Sequence, residues 1–341
     1  MRKSMIMARR SLPSPPAGEG KKSSPFGSPK TPFFFILPIL LTLLAGTQAF
    51  ATDAGVAQNV DTSPWWVWPI ILFIVTYLIG IIAVLGGLGG AVLFVPIVSG
   101  FFPFHYDFVR SAGLLVALSA SLAAGPGLLR RGLADFRLAL PMGLIQSTAA
   151  MIGAMVGLAV PAHIVQTAMG MTILAVVAIL FFARRSEYPE VGKADALSTA
   201  LGIRGAYFET TLEREVEWKI HRTAKGMGMF AIIGFMAGMF GLGAGWANVP
   251  TFNLLMGAPL KLSVATSMFL LSITDTSAVW VYINQGAVLP MLVAPSLIGI
   301  MLGSMTGVRL LTRAKPTVIR KIVMIMLFLA GLRAMLKGMG I

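Results

Sequence analysis

The chain reads Gly-Leu-Gly-Gly-Ala-Val-Leu-Phe-Val-Pro over residues 87–96, and Gly-Leu-Gly-Ala-Gly-Trp-Ala-Asn-Val-Pro over residues 241–250. The second stretch begins 154 residues after the first, and five of the ten positions are identical. The same shift places Gly132 on Gly286 and Pro141 on Pro295. The sequence therefore predicts an internal duplication whose two copies each carry a short segment rich in glycine and ended by proline.

The composition is that of a membrane protein. Of the 341 residues, 56% are hydrophobic and 12% are charged, whereas soluble domains carry about 25% charged residues. Several apolar stretches approach 20 residues, about the length that crosses the hydrocarbon core of a bilayer. We therefore predict an all-α polytopic membrane protein that has the lipid bilayer as its surroundings. Cysteine is absent, which excludes disulfides, iron–sulfur ligation and thiol catalysis.

Ten apolar blocks follow the amino-terminal region. Two of them, 89–103 and 245–258, are too short and too rich in glycine and proline for simple spans, so we predict about eight full spans and two short or re-entrant segments. The ten blocks are 66–88, 89–103, 108–128, 138–158, 163–183, 227–244, 245–258, 263–283, 290–309 and 318–336.

The distribution of basic residues predicts the topology. If both short segments return across the membrane, 17 of the 20 Lys and Arg after residue 51 lie in the cytoplasm and three lie outside. If neither short segment crosses, seven of these basic residues lie in the cytoplasm and 13 lie outside. The positive-inside rule favours the first arrangement. Each half then crosses the membrane five times, and an odd number inverts the second half relative to the first. Two inverted repeats of broken transmembrane helices are typical of secondary transporters.

The first 51 residues resemble a signal peptide. A basic stretch precedes the apolar run 33–44 and the sequence Ala49-Phe50-Ala51, which are the parts of a secretory signal; an uncleaved signal anchor is the alternative. Either interpretation places residue 52 outside the cytoplasm. We therefore divide the chain into a signal-peptide-like segment (1–51), an extracytoplasmic lead (52–65), two transmembrane repeats (66–183 and 227–341) and a cytoplasmic loop (184–226).

The net charge of +14 does not predict a nucleic-acid partner. Seven of the 27 basic residues lie in the first thirty positions, and the positive-inside rule accounts for those in the loops.

The paired glycine segments are the predicted substrate site. Glycine lets the backbone unwind and lets a ligand approach it closely, and proline removes a helix donor, so the freed amides of a broken helix can face an anion. Close helix packing is the alternative, and we prefer it for Gly153, Gly157, Gly303 and Gly307. The predicted substrate-binding residues are Gly87, Gly89, Gly90, Pro96, Gly241, Gly243, Gly245, Asn248, Pro250, Thr266 and Ser267.

Asp275 is the one acidic residue that falls deep within a predicted span. A carboxylate is costly there and indicates a function by default. It could couple transport to protons, or it could anchor an opposing group. The structural alternatives are a pair with Lys261 or Arg309, and a water-filled vestibule.

Motifs for catalysis or metal binding are missing from the sequence. His105, His163 and His221 do not have the spacing of a metal site, and no Walker A sequence or nucleophile elbow occurs. We predict no metal, no cofactor and no enzymatic activity.

The loop 184–226 contains an alternation of apolar and charged residues. Val216, Trp218 and Ile220 alternate with charged neighbours, a period of two that favours a half-exposed strand. With residues 206–208 before it, a small β-hairpin is predicted. The sequence leaves open whether this hairpin caps or gates the transporter or only links the two halves.

The two glycine motifs, together with Ala265-Thr266-Ser267, resemble the sulfite exporter TauE/SafE family, also called the 4-toluene sulfonate uptake permease family. The resemblance covers about 66–183 and 227–338. It implies a multi-span permease for sulfite, sulfonates or other sulfur-containing organic anions. The first half departs from the family, because it has Ser111-Ala112-Gly113 where the family tends to have Ala-Thr-Ser.

We therefore expect a secondary transporter of the inner membrane that moves a small anion, with protons as a candidate coupling ion. The alternatives are an uncoupled anion channel and a non-transporting membrane partner of the same fold.

Overall fold

The computed structural model describes residues 66–86, 90–130, 134–182, 189, 194–209, 214–311 and 316–340. The signal-peptide-like segment and the extracytoplasmic lead to residue 65 lie outside this range. The first half contains α1 (Val67–Gly86), α2 (Gly90–Phe101), α3 (Tyr106–Arg130), α4 (Phe136–Ala159) and α5 (Ala162–Phe182). The connecting loop contains α6 (Ala196–Ala200), β1 (Arg204–Glu209) and β2 (Arg214–Lys219). The second half contains α7 (Thr223–Phe240), α8 (Gly245–Pro250), a π-helical turn (Thr251–Leu255), α9 (Leu260–Asn284), α10 (Pro290–Leu311) and α11 (Pro316–Gly338).

The helices have the surface of a membrane protein. Within the described residues, four are long and apolar enough to cross a membrane: Phe136–Ala159, Thr223–Phe240, Leu260–Asn284 and Pro290–Gly307. Shorter apolar helices accompany them. Large apolar side chains point outward, including Leu144 and Phe181, each 69% exposed. The prediction of an all-α polytopic membrane protein is confirmed.

The packing of the helices follows the order of the two halves. Helix α1 packs on α10, and α7 packs on α4. Suppose that α1, α2, α3, α4 and α5 correspond in order to α7, α8, α9, α10 and α11. The contact of α1 with α10 is then equivalent to the contact of α7 with α4. The contacts of α3 with α9 and of α5 with α11 each join a helix to its own counterpart. A two-fold axis between the halves produces this exchange of partners. It supports the predicted duplication, and the inversion stays a prediction.

Two close helix crossings show the same relationship at single residues. A Cβ atom placed on Gly80 of α1 would lie 2.7 Å from the carbonyl oxygen of Ile300 in α10. A Cβ atom placed on Gly234 of α7 would collide with the carbonyl oxygen of Gln146 in α4. Gly80 with Gly234, and Gln146 with Ile300, are each 154 residues apart. Small residues at these crossings allow the backbones to approach.

The glycines that we assigned to helix packing lie at such crossings where they are described. A Cβ on Gly153 would meet the carbonyl oxygen of Phe235, and one on Gly303 would meet that of Tyr77. Gly157 has a further neighbour, because a Cβ there would lie 2.7 Å from Nη1 of Arg110.

The connecting loop folds as an antiparallel hairpin docked on the helices. Strands β1 and β2 pair in register from Arg204 opposite Lys219 to Glu209 opposite Arg214. Trp218 and Ile220 are buried in an apolar cluster with Phe252 of the π-helical turn, while the charged neighbours Glu217 and Lys219 are exposed. Alternate residues of β2 therefore lie on two faces of the strand, one docked on the helices and one exposed to solvent.

One carboxylate joins this loop to α7. Asp195 accepts hydrogen bonds from the Ser198 amide at the start of α6 (3.2 Å) and from the Thr223 amide at the start of α7 (2.9 Å). The Thr223 hydroxyl donates a third bond (2.8 Å). Partial burial raises the pKa of the Asp195 carboxyl, but these bonds outweigh it and lower the pKa from 3.8 to about 2. The residue before Thr223, Arg222, has a left-handed φ of 57° and provides no side-chain cap.

Candidate functional site

The second helical half is interrupted between α7 and α8. Helix α7 ends at Gly241, and both Gly241 (φ 72°) and Gly243 (φ 64°) have left-handed backbone conformations, which favour glycine because it has no Cβ. Helix α8 then lasts six residues, and Pro250 leads into the π-helical turn. Pro250 has no amide to donate into the helix, so the regular hydrogen-bond ladder is broken at that point.

The interruption leaves amides without backbone partners. Among the described residues, the amides of Leu242, Gly243 and Ala244 donate to no carbonyl, while the Gly241 amide bonds the Ala237 oxygen at 3.0 Å. All of these residues are buried. Buried amides are almost always paired, so those that are not need a physical explanation, and a ligand is one.

A buried amide pair connects this break to the first half. The Gln146 Nε2 atom donates to Asn248 Oδ1 at 2.6 Å, and Asn248 Nδ2 approaches Gln146 Oε1 at 3.4 Å. The Thr274 hydroxyl donates to the same Gln146 oxygen at 3.2 Å. All three side chains are completely buried. The network therefore joins α4, α8 and α9 at one point in the interior.

Asp275 lies beside this network without a partner of its own. Its side chain is completely buried, and neither carboxylate oxygen makes a hydrogen bond to any described residue. A Cβ atom placed on Gly243 would lie 3.3 Å from Asp275 Oδ2 and 2.9 Å from the Cβ of Ala117 in α3. The carboxyl group thus faces the glycine break, and the missing side chain of Gly243 leaves room for it.

Two further buried polar atoms of α4 and α8 lack partners in the part of the chain that the structure describes. Ser147 Oγ follows Gln146 in α4, and Trp246 Nε1 is two residues before Asn248. Together with Asp275, they give α4, α8 and α9 one unsatisfied polar side chain each. An arrangement of this kind can exchange hydrogen bonds with a small polar ligand.

The structure distributes the predicted site residues over three places. Gly241, Gly243, Gly245, Asn248 and Pro250 belong to the break that Asp275 faces. Gly90 and Pro96 lie buried in α2, while Gly87 and Gly89 fall outside the described residues.

Thr266 and Ser267 are buried on α9 but lie nine and eight residues before Asp275, which is about 12–13 Å along the helix. The Thr266 hydroxyl accepts a hydrogen bond from the Asp135 amide at 3.3 Å. The Thr266 side chain therefore lies near the start of α4.

Comparison with known proteins assigns the fold to a family. The family model described as sulfite exporter TauE/SafE matches residues 71–334, which is more than three quarters of the chain. The chain belongs to the sulfite exporter TauE/SafE family. This result confirms the resemblance drawn from the glycine motifs, and the family's role in transport agrees with the prediction that the protein is not an enzyme.

One curated relative of this TauE/SafE protein is the "Probable membrane transporter protein YunE" of Bacillus subtilis (strain 168), which is 27% identical over 118 residues. That match covers 35% of this chain and 43% of the relative, so the chain matches less than half of the relative's length. No solved structure matches the TauE/SafE chain.

The amide pair and the carboxyl group of this TauE/SafE protein are not repeated at the positions that correspond to them in the opposite halves. The shift of 154 residues places Phe94 at the position of Asn248, Ile300 at that of Gln146, and Ser121 at that of Asp275. Ser121 donates to its own helix, to the carbonyl of Leu118 at 2.8 Å. The duplicated TauE/SafE framework therefore carries one amide–carboxyl site rather than two.

Sequence reasoning missed Arg110, which it treated only as a charge outside the membrane. Its side chain is completely buried, pairs with Asp107, and donates to the Met239 carbonyl at 3.0 Å. The guanidinium lies 4.9 Å from the ring centroid of Tyr106 and 5.7 Å from that of Tyr282. The spacing of Asp107 and Arg110, three residues apart on one helix face, was the signal that could have shown an intrahelical pair.

The Arg110 side chain lies next to the TauE/SafE site. Tyr282 is seven residues beyond Asp275 on α9, about 10 Å further along the helix axis. Met239 is two residues before the break at Gly241. The Arg110 cluster (Tyr106, Asp107, Arg110 and Tyr282) therefore joins α3, α7 and α9 next to the site.

Proposed function

We propose that this protein is a secondary transporter of the inner membrane that carries a small anion, namely sulfite, a sulfonate or another sulfur-containing organic anion, together with a proton. Membership of the TauE/SafE family and the transporter name of the Bacillus subtilis relative support transport across a membrane. The substrate class rests on the family description, which names sulfite. The coupling ion rests on the site.

The observation that carries the proposal is the buried, unpartnered carboxyl of Asp275 at the glycine break. A charged carboxylate in this position would have lost its hydration without gaining a hydrogen bond, and such groups become neutral instead. A charged Asp275 would also repel an anion at the same place. Protonation removes both costs and turns the carboxyl into a hydrogen-bond donor. Proton and anion therefore bind together.

The remaining donors of the site suit an oxyanion. The amides of Leu242, Gly243 and Ala244 donate to no carbonyl of the described residues, and the side chains are small or absent at two of these three positions. Asn248 and Gln146 share their amide hydrogens in the network and can turn them toward a ligand. Neutral donors of this kind bind an anion without the strong desolvation cost of a cation such as arginine.

We propose that this buried site corresponds to an occluded state of the transport cycle. Asn248, Gln146 and Asp275 are completely buried, and the Arg110 cluster lies on one side of them. A transporter must open this site to one face and then to the other, and a pair of inverted halves provides two equivalent ways to do so. Release of the proton from Asp275 in the cytoplasm or outside would then expel the anion by repulsion.

The test is transport by the full chain in liposomes. Labelled sulfite, sulfoacetate and taurine are offered with and without a proton gradient, and counterflow is measured in preloaded vesicles. We expect a gradient-driven accumulation of at least one anion and a positive counterflow signal. Counterflow without accumulation contradicts proton coupling, and downhill flux without counterflow shows a channel, since a pore cannot drive uphill exchange. No flux of any anion supports a non-transporting partner.

Two variants separate the role of Asp275 from a general effect on the fold. Asp275→Asn keeps the shape and stays neutral, so we expect it to keep counterflow and lose accumulation driven by the proton gradient. Asp195→Asn is the matched control, because it makes the same chemical change at a carboxylate of the connecting loop. Accumulation that survives Asp275→Asn refutes the assigned role.

A further inference from the structure

A cavity of about 420 Å³ lies between the end of α11 and the end of α2. It is separate from the glycine break. It is lined by two cationic residues, three leucines and a glycine: Arg333, Lys337, Leu329, Leu332, Leu336 and Gly100. Its volume is in the range of pockets that hold drug-sized ligands, about 300–1,000 Å³.

Both cations use only part of their hydrogen-bonding capacity. Arg333 Nε donates to the Gly100 carbonyl at 3.0 Å, and Lys337 Nζ donates to the Ser99 carbonyl at 2.6 Å. These bonds cap the carboxyl end of α2. An arginine has five N–H donors and a lysine has three, so most of their donors remain for a ligand. The guanidinium also lies 4.5 Å from the ring centroid of Phe101, which holds it in place.

The pair carries an uncompensated charge. Within the described residues, neither Arg333 nor Lys337 forms an ion pair with a carboxylate. They are four residues apart on one helix, where like charges repel each other. A favourable interaction with the helix dipole explains a cation at the end of α11, but it does not explain two cations around a cavity. An anion between them would relieve the repulsion.

The rest of the cavity is lined by leucines, and large apolar side chains around it are exposed. Leu329, Leu332 and Leu336 follow the spacing of one helix face, and Leu329 is 58% exposed. Phe101, at the end of α2, is 60% exposed. A small inorganic anion would contact the two cations and leave this leucine wall uncovered. An amphipathic anion covers both parts.

We propose that this cavity binds a phospholipid with an acidic headgroup, whose phosphate lies between Arg333 and Lys337 and whose acyl chain lies along the leucine wall. Basic residues near a helix end and apolar residues toward the membrane core match the two parts of such a lipid. Because both cations hold carbonyls at the end of α2, the bound lipid also fixes that helix.

The experiment measures the lipids that stay with the full chain in nanodiscs of phosphatidylcholine containing a minority of phosphatidylglycerol. Native mass spectrometry counts retained phosphatidylglycerol per protein. We compare the wild type with Arg333→Gln/Lys337→Gln. The matched control is Arg204→Gln/Lys219→Gln, which removes two exposed cations from facing positions of the hairpin. We expect the first double variant to lose about tenfold or more of the retained lipid and the control to lose none.

Two further variants keep the test decisive if the double variant does not fold. Leu336→Trp fills the cavity without changing its charge and should reduce retention as well. Arg333→Lys/Lys337→Arg keeps both charges and should preserve it. Equal retention in the wild type, the double variant and Leu336→Trp overturns the proposal.

A soluble anion such as inorganic phosphate is the alternative ligand for Arg333 and Lys337. In discs of pure phosphatidylcholine, we titrate the wild type with inorganic phosphate by calorimetry. Phosphate binding that is lost in Arg333→Gln/Lys337→Gln but kept in Leu336→Trp shows a site for a free anion and overturns the lipid assignment. Phosphate binding that is weak or missing, with phosphatidylglycerol retained, supports it.

Discussion

The amide pair of Gln146 and Asn248 allows the stability of the site to be separated from its function. Replacing either residue with leucine removes a hydrogen bond of 2.6 Å in the interior. The amide that remains is completely buried and has lost its partner. Replacing both residues removes the pair altogether and leaves two apolar side chains in contact.

The expected free-energy changes follow from this geometry. A buried polar group without a partner costs about 1–3 kcal/mol, whereas replacing both partners with apolar groups of similar shape is nearly neutral. We therefore expect each single variant to lower the free energy of unfolding by about 1–3 kcal/mol, and the double variant to lower it by less than either. The positions that correspond to Asn248 and Gln146 in the opposite halves contain Phe94 and Ile300, so apolar residues fit this kind of environment. Thr274 loses its acceptor in Gln146 but can donate to the carbonyl four residues before it.

Two measurements on the four proteins test this expectation. Unfolding of the purified chain in detergent micelles, followed by tryptophan fluorescence, gives the free energies of the double-mutant cycle. Anion uptake into liposomes gives the function. The control is Thr148→Leu, because Thr148 is exposed on the same helix and bonds only its own backbone; we expect a change within about 0.5 kcal/mol. The double variant should recover stability and still fail to transport.

Several results would refute the reasoning. Single variants that unfold like the wild type would show that the pair does not stabilise the interior. A double variant whose loss equals the sum of the two single losses would show that Gln146 and Asn248 are not coupled. Uptake at the wild-type rate by the double variant would show that the amides do not bind the substrate.

Three further predictions concern other parts of the molecule. Asp195→Ala should lower the free energy of unfolding by about 0.5–2 kcal/mol, the usual effect of losing a helix cap. Because the folded-state pKa of Asp195 lies at about 2, below the usual 3.8, the difference in stability from the wild type should be full above pH 4 and disappear as the pH falls toward 2. Measuring the unfolding midpoint as a function of pH tests this expectation. Arg110→Gln breaks an ion pair between a buried arginine and a partly exposed aspartate and should cost about 1.5–3 kcal/mol, whereas an unchanged melting temperature would show that the Arg110 cluster is not a structural junction. Lys261→Cys and Arg131→Cys, in a chain with no other cysteine, should react with a membrane-impermeant thiol reagent from the same face of the membrane, and labelling from opposite faces contradicts the inverted topology.

The connecting loop shows how far local patterns reach. The alternation of Val216, Trp218 and Ile220 is a property of neighbouring residues, and the strand Arg214–Lys219 has the same alternation of exposed and buried side chains. The partner surface was not predictable in this way, because the Trp218 side chain packs in one cluster with Phe252 and Met256, more than thirty residues later in the chain. The hairpin therefore depends on neighbouring residues, whereas its docking depends on residues far away in the sequence.

The buried polar residues show the opposite case. Asn248 was predicted because it lies inside the glycine segment, but its partner Gln146 is 102 residues away, and Thr274 is 128 residues from Gln146. Thr266 has the same hydroxyl and the same helix as Thr274, yet it meets Asp135. Which of the two hydroxyls faces the site depends on how far α9 is shifted along α4, and no pattern within α9 contains that information.

Sequence alone determined the membrane class, the break after Gly241 and the family, because hydropathy, glycine and proline content and a recurring motif are properties of the chain read in one dimension. Tertiary structure alone decided that Asp275 has no hydrogen-bond partner among the described residues, that Arg110 is buried beside two tyrosines, and that Gln146 of the first half meets Asn248 and Thr274 of the second. The physical reason is that hydrogen bonds and ion pairs require atoms within a few ångström of each other. That proximity is created when helices distant in sequence pack, and here glycines at the crossings set how closely they approach.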